Sequence, residues 1–147
     1  IEAEEQGQGF AIANLLREAS TIKVPILSII HGEGGSGGAL ALGTANEVWI
    51  MENAVYSILT PEGYASILWK TSDKAKEAAE RMKLTSIDLK QMQIVDKVFQ
   101  EPQELNHENM DELCMQLKDE IAMFLKKYQK RKEKDILKER YKRFRKY

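Results

Sequence analysis

Five of the chain's nine glycines fall in one seven-residue window, Gly32-Glu33-Gly34-Gly35-Ser36-Gly37-Gly38, between an aliphatic run and a stretch of small residues. Glycine costs backbone entropy, so such a cluster marks a sharp turn or a place where something approaches the backbone closely. A strand, a glycine turn and a helix start together aim free N–H groups at one point, which suits a phosphate, a carboxylate or an oxyanion. Four chemistries overlap in these residues. Gly32-x-Gly34-x-x-Gly37 is a literal dinucleotide fingerprint, but the next strand pattern opens at Glu47, too soon for a crossover unit of about 30 residues. Gly34-x-Ser36-x-Gly38 matches the hydrolase nucleophile elbow, with Asp96 and His107 following in the chain order of a triad. His107 lies in the polar stretch Leu105-Asn106-His107-Glu108-Asn109, which reads as a linker or helix cap. A phosphate-binding P-loop fails, because no Lys-Ser/Thr follows Gly37. The fourth chemistry is an oxyanion hole made by the N–H groups of Gly37 and Gly38, each rigid donor worth about 3–4 kcal/mol to a developing oxyanion.

The elements that must hold this window are legible around it. Ala11, Ile12, Leu15, Leu16 and Ala19 recur at helical spacing and predict one amphipathic helix over 4–20. Ile26–Ile30 reads as a strand buried on both faces, and Gly38–Thr44 as a short helix. Strands are expected over 47–51 and 54–59. Thr60 caps a helix with Pro61 at its first position, and Asp73 caps another running to Met82. A shorter helix over 86–93, a small strand over 95–99 and a long helix over 109–128 complete the order. In that last helix Met110, Leu113, Leu117, Ile121 and Leu125 form the apolar stripe.

The chain of 147 residues is long enough for one modest core, and its net charge of −1 conceals a division. Residues 126–147 carry 12 of the 22 Lys+Arg and a net charge of +9, against −10 for the rest. This tail reads as a solvated helix end balancing an acidic body, with a break near Glu133. A nucleic acid, a phosphorylated cofactor or an acidic partner are the functional alternatives. Tyr141, Phe144 and Tyr147 recur every three residues and predict an aromatic face docked on protein. Cys114 is the single cysteine, so no internal disulfide or cysteine-based zinc site forms within the chain. No membrane span or basic-then-apolar leader is visible, which makes a cytoplasmic location the expectation and no metal is called for.

Gly32-Glu33-Gly34-Gly35-Ser36-Gly37-Gly38-Ala39-Leu40-Ala41 resembles the signature of the α subunit of the bacterial acetyl-CoA carboxylase carboxyltransferase. The likeness extends through Ala3-Glu4-Glu5, Gly7-Gln8, Tyr56-Ser57-Ile58, Pro61-Glu62-Gly63, Ala65-Ser66-Ile67-Leu68-Trp69-Lys70 and Leu89-Lys90. It covers most of residues 1–105. The resemblance implies an α/β fold of the crotonase superfamily (ClpP/crotonase-like), built of ββα units, of which this chain carries the C-terminal half followed by long C-terminal helices. Residues 1–105 are then the transferase portion and 106–147 a helical extension with a basic tail.

The implied reaction moves a carboxyl group from carboxybiotin, held on the biotin carboxyl carrier protein, to acetyl-CoA, forming malonyl-CoA. The implied partners are a β subunit in an α2β2 assembly, which handles the acetyl-CoA enolate, and biotin carboxylase in a larger complex. The resemblance gives Gly37 and Gly38 the task of holding biotin's ureido oxygen, and gives substrate binding to Gly34, Gly35, Ser36, Pro61, Glu62 and Gly63. Biotin belongs to the carrier, not to this chain. Gln6, Phe10, His31 and Tyr64 depart from the family pattern; His31, at a strand end, is expected to be satisfied by backbone. Family members also carry a substantial preceding segment with a Pro-Gly-Ala-Tyr-Pro-Gly-like loop. The chain is therefore expected to be a fragment or split product, poorly stable and inactive alone. A non-catalytic assembly piece and a serine hydrolase are the alternatives.

Overall fold

Every strand–strand ladder in the computed structural model, which describes residues 2–102, 106 and 109–146, is parallel, and the strands divide into two sheets. The first sheet orders β1 (Leu27–Ile30), β3 (Glu47–Met51) and β5 (Lys97–Phe99) with β3 in the centre. The second pairs β2 (Glu33–Gly35) with β4 (Val55–Ser57). Parallel strands need crossovers, and the connection from β2 to β4 runs through α3 (Ser36–Gly43) and then β3.

The strand buried on both faces is β3 rather than β1. Val48, Trp49, Ile50 and Met51 are all buried, whereas Leu27 and Ile29 of the edge strand β1 are only partly covered. Trp49 forms the hub of the core, with ring centroids 5.4 Å from Phe99 and 6.1 Å from Phe124. Phe124 belongs to α7 (Met110–Tyr128), so the C-terminal helices share the core of the sheet. The stripe α7 buries differs from the expected one at both ends. Leu113, Phe124 and Tyr128 are buried, while Met110 is exposed and Leu125 is 57% exposed, because the helix turns Phe124 toward Trp49 with Tyr128 packed on Phe124.

The helix expected over 4–20 is broken. Gly7 adopts a left-handed conformation (φ 84) and separates α1 (Glu2–Glu5) from α2 (Gln8–Thr21). Of the predicted apolar positions in α2, only Ala19 is buried. α4 (Pro61–Trp69) begins as expected: Gly63 N–H donates to Thr60 Oγ1 at 3.1 Å, and proline follows the cap. α5 (Ala75–Met82) starts two residues after Asp73 and takes no side-chain cap from it. α6 (Ser86–Gln91) is shorter than expected and capped by Thr85, whose Oγ1 accepts from Asp88 N–H at 3.2 Å.

The basic tail is not simply solvated. It forms α8 (Glu133–Phe144), which buries Ile136 and Arg140. Arg140 is 2% exposed and donates through Nη1 to the carbonyls of Ala19 (2.8 Å) and Ile22 (2.6 Å), and through Nη2 to that of Val24 (2.6 Å) and to Asn46 Oδ1 (2.8 Å). The guanidinium thus closes the end of α2, where orphan carbonyls and the negative pole of the helix favour a cation. Burial lowers the Arg140 pKa from its ordinary value. Arg143 pairs with Asp96 at 2.7 Å and donates to the Ile94 carbonyl at 2.5 Å. Tyr141 stays 65% exposed and Phe144 lines an apolar cleft with Leu40, Tyr56 and Met92, so only part of the expected aromatic face docks. Tyr147 lies outside the described residues.

Candidate functional site

The glycine window, read from sequence as a loop, is half strand. Glu33, Gly34 and Gly35 pair in parallel with Val55, Tyr56 and Ser57. Because β2 and β4 run the same way, their carboxyl ends lie together, and each feeds a helix from that end: β2 directly into α3, β4 through Ile58-Leu59-Thr60 into α4. Two helix N-termini therefore open at the carboxyl edge of one parallel pair, where open α/β sheets hold their ligands.

The two helix ends differ. α4 is closed by its own cap, since Pro61 has no N–H and the Gly63 N–H is taken by Thr60. Glu62 is exposed in the first turn. At α3 the N-cap is Gly35, which has no side chain to accept a bond, and the N–H groups of Ser36, Gly37 and Gly38 precede the first intrahelical donor. Ser36 itself has φ 54, left-handed for a non-glycine residue, and is exposed at the strand-to-helix turn. Strained backbone of this kind clusters at functional sites, and the strand–turn–helix shape is also that of a nucleophile elbow.

Each glycine can be tested by what a Cβ would meet. At Gly34 it would stand 2.8 Å from Tyr56 Cδ2, and at Gly43 2.9 Å from the Tyr56 hydroxyl, so both make room for one ring. At Gly37 it would meet Ile12 of α2 at 3.2 Å. Around Gly35 the nearest atom is the Ser57 carbonyl oxygen at 3.9 Å. Gly38 would meet nothing within 4 Å, and its φ is not among the positive ones. Neither packing nor backbone conformation within the chain calls for glycine at 38, although a helical glycine costs about 1 kcal/mol relative to alanine. A bare, outward-facing backbone at an uncapped helix end fits the approach of an electron-rich oxygen.

The remaining candidates separate from this place. Asp96 is engaged in structure: Val48 N–H donates to its Oδ2 at 2.7 Å and Arg143 Nη1 to its Oδ1 at 2.8 Å. It joins β3 to the tail. His31 is exposed, so its ring can be satisfied by solvent and does not require the expected backbone partner. His107 lies outside the described residues. Among the described residues no cluster of His, Cys, Asp or Glu could hold a metal, and no helix is long and apolar enough to cross a membrane. Tyr56, Asn46 and Arg140 escaped the sequence reading as position-setting residues. For Tyr56 the signal was the pair Gly34 and Gly43, one in β2 before α3 and one at the last residue of α3.

Parallel strands joined by crossover helices make this an α/β fold, and superposition on solved structures places it among the crotonase-fold proteins. Among solved structures, transcarboxylase 12S with methylmalonyl-coenzyme A and methylmalonic acid bound superposes with a TM-score of 0.69 over 90% of this chain and 25% of that one, at 19% identity. An enoyl-CoA hydratase from Mycobacterium avium subsp. paratuberculosis gives 0.55 over 88% of this chain and 52% of that one, at 18% identity. These likenesses show the fold. The chain belongs to the acetyl co-enzyme A carboxylase carboxyltransferase-like family, whose model matches residues 1–147. It is 52% identical over 147 residues to the acetyl-coenzyme A carboxylase carboxyl transferase subunit alpha of Streptococcus gordonii, covering all of this chain and 56% of that protein. It is 51% identical over 143 residues to the "subunits beta/alpha" protein of Natranaerobius thermophilus, covering 97% of this chain and 24% of that one. The chain thus spans little more than half the length of its separate-subunit relative.

Proposed function

We propose that this chain supplies the biotin side of a carboxyl transfer to acetyl-CoA, the reaction that forms malonyl-CoA for fatty acid synthesis. Carboxybiotin, carried on its own protein, brings the carboxyl group and a ureido oxygen that grows more negative as that group departs. The N–H groups of Gly37 and Gly38 receive that oxygen at the positive end of α3, where fixed donors lose no reorganisation energy as charge develops. Gly34, Gly35 and Ser36 shape the approach, and Pro61, Glu62 and Gly63 border it from α4. The acetyl-CoA side belongs to a β subunit in an α2β2 assembly, with the biotin carboxyl carrier protein and biotin carboxylase as further partners in the cytoplasm. The relative whose name joins beta and alpha in one chain supports that pairing. Residues 1–105 carry the site, and 106–147 form the helical extension that braces it. On this reading the chain alone is inactive.

The observation that carries the reading is Gly38, a helical glycine at an uncapped N-terminus with open space where its side chain would be. In a complex reconstituted with the β subunit, Gly38→Val is expected to lower malonyl-CoA formation by about 10²-fold or more, as loss of an oxyanion donor does. The same substitution is expected not to lower the chain's thermal midpoint, since a Cβ at 38 would meet nothing within 4 Å and valine suits a helix no worse than glycine. Normal transfer in that variant would overturn the assignment. A second reading, a serine hydrolase, draws on the left-handed Ser36 at the strand-to-helix turn. It requires that a fluorophosphonate probe label Ser36, and an unlabelled serine ends it. A non-catalytic assembly piece would co-purify with the β subunit yet support no transfer in any reconstitution.

A further inference from the structure

Resting on the oxyanion reading, we infer that Tyr56 is the positioning residue that aims the Gly37 and Gly38 N–H groups. Tyr56 stands in β4 directly opposite Gly34 in β2, so its backbone is fixed to the strand that leads into the turn. Its ring crosses the face of Gly34, and its hydroxyl donates to the carbonyl of Ala39 in the first turn of α3. One side chain therefore holds the segment before Gly35 and the segment after Gly38, and the donors lie between the two clamped ends. Two glycines, Gly34 in β2 and Gly43 at the last residue of α3, make room for this one side chain: a Cβ at Gly34 would be 2.8 Å from the ring, and one at Gly43 2.9 Å from the hydroxyl oxygen.

The hydroxyl matters separately from the ring. α3 is only eight residues long and has no side-chain N-cap, so little within the helix fixes its rotation about its own axis. Ser28 Oγ donates to the Leu42 carbonyl at 2.8 Å and holds the far end; the Ala39 bond holds the near end. Without it, the helix can turn slightly, and a misplacement of about 1 Å in a catalytic group costs up to about 10²-fold in rate.

Tyr56→Phe keeps the ring over Gly34 and removes the bond to Ala39. Two measurements on it test the role. In the chain itself, amide hydrogen exchange at Ala39 and Leu40, the first α3 amides with intrahelical acceptors, is expected to quicken about tenfold while exchange in β3 is unchanged. In the reconstituted complex, kcat is expected to fall about tenfold with KM for the carboxybiotin donor little changed. A core control is Phe99→Leu, which trims a buried ring away from the site; with its drop in thermal midpoint measured beside that of Tyr56→Phe, it is expected to keep kcat, which separates aim from stability. Unchanged exchange at Ala39 and Leu40, or a kcat loss matched by Phe99→Leu, overturns the positioning role and leaves the oxyanion reading standing. Normal transfer by Gly38→Val removes the oxyanion reading on its own ground, and the role of Tyr56 with it.

Discussion

Arg140 shows how a residue type that composition places on the surface comes to be structural. Its guanidinium lies among the carbonyls of Ala19, Ile22 and Val24 and the amide oxygen of Asn46, with no carboxylate among the hydrogen-bond partners shown. Asn46 in turn receives the Ile26 N–H at 3.1 Å and donates to the Ile136 carbonyl at 3.1 Å, so three parts of the chain meet at one amide. A planar fork of donors fits this cage, and an ammonium cannot reach every acceptor. Arg140→Met strands several buried carbonyls and is expected to cost about 2–4 kcal/mol in denaturant unfolding. Arg140→Lys should recover less than half of that loss. A tail that only balanced charge would tolerate both. From sequence, nothing distinguished Arg140 from the tail's other basic residues, because the discrimination lies in carbonyls some 120 residues away along the chain.

At the scale of the element, helix ends divide into those a hydroxyl side chain closes, at α4 and α6, and those without a side-chain cap, α3 among them. Thr60 and Thr85 cap α4 and α6; the sequence reading named Thr60, while the Thr85 cap is found in the structure. At the C-termini of α4 and α5 the chain instead places Lys70 (φ 59) and Lys83 (φ 55) in the left-handed region. Glycine is the usual residue there, since a Cβ costs about 1–2 kcal/mol in that conformation. Lys70→Gly and Lys83→Gly are each expected to raise stability by up to about 1 kcal/mol in thermal or denaturant unfolding. For Lys70 the gain is netted against any contact the side chain makes at the α4 end. The break between α1 and α2 follows the same logic in reverse: Gly7 permits the turn that the amphipathic pattern alone did not reveal.

Charge at the scale of the whole molecule is segregated in sequence and joined in space. Lys127 bonds Glu47 at 2.6 Å, Arg143 bonds Asp96 and Lys23 bonds Glu133, so the basic end is pinned to the acidic body at several points. The joint between α7 and α8 is built on Tyr128, buried, with its hydroxyl 3.1 Å from Glu139 Oε1. Burial and then the Glu139 carboxylate push the Tyr128 pKa up to about 12, with Lys127 working in the opposite direction. Burial lowers the Lys127 pKa, but its bond to Glu47 outweighs this and leaves it raised. Both groups are favoured in their protonated forms by folding. Their contribution is complete below the unfolded values near pH 10 and is lost as pH rises through the folded ones. Stability is therefore expected to fall between pH 10 and pH 12, and Tyr128→Phe to flatten that fall by about 1.4 kcal/mol per pH unit. A variant with the same slope as the parent would show that the Tyr128 proton is not linked to folding.

Much was decided by the sequence alone. Local spacing sufficed for the strand over 47–51, the Thr60 cap and the long helix after residue 109, because each rests on neighbours within a few residues. The tertiary structure decided the rest. Only the pairing of β2 with β4 turned half of the glycine loop into a strand and brought two helix ends to one edge. Only the packing of Tyr56 and Ile12 separated the glycines that admit a neighbour from Gly38, which admits none within the chain. A glycine is the same letter whether it makes room for a ring, for another helix or for a ligand, and which of these it does depends on atoms that only the fold brings near.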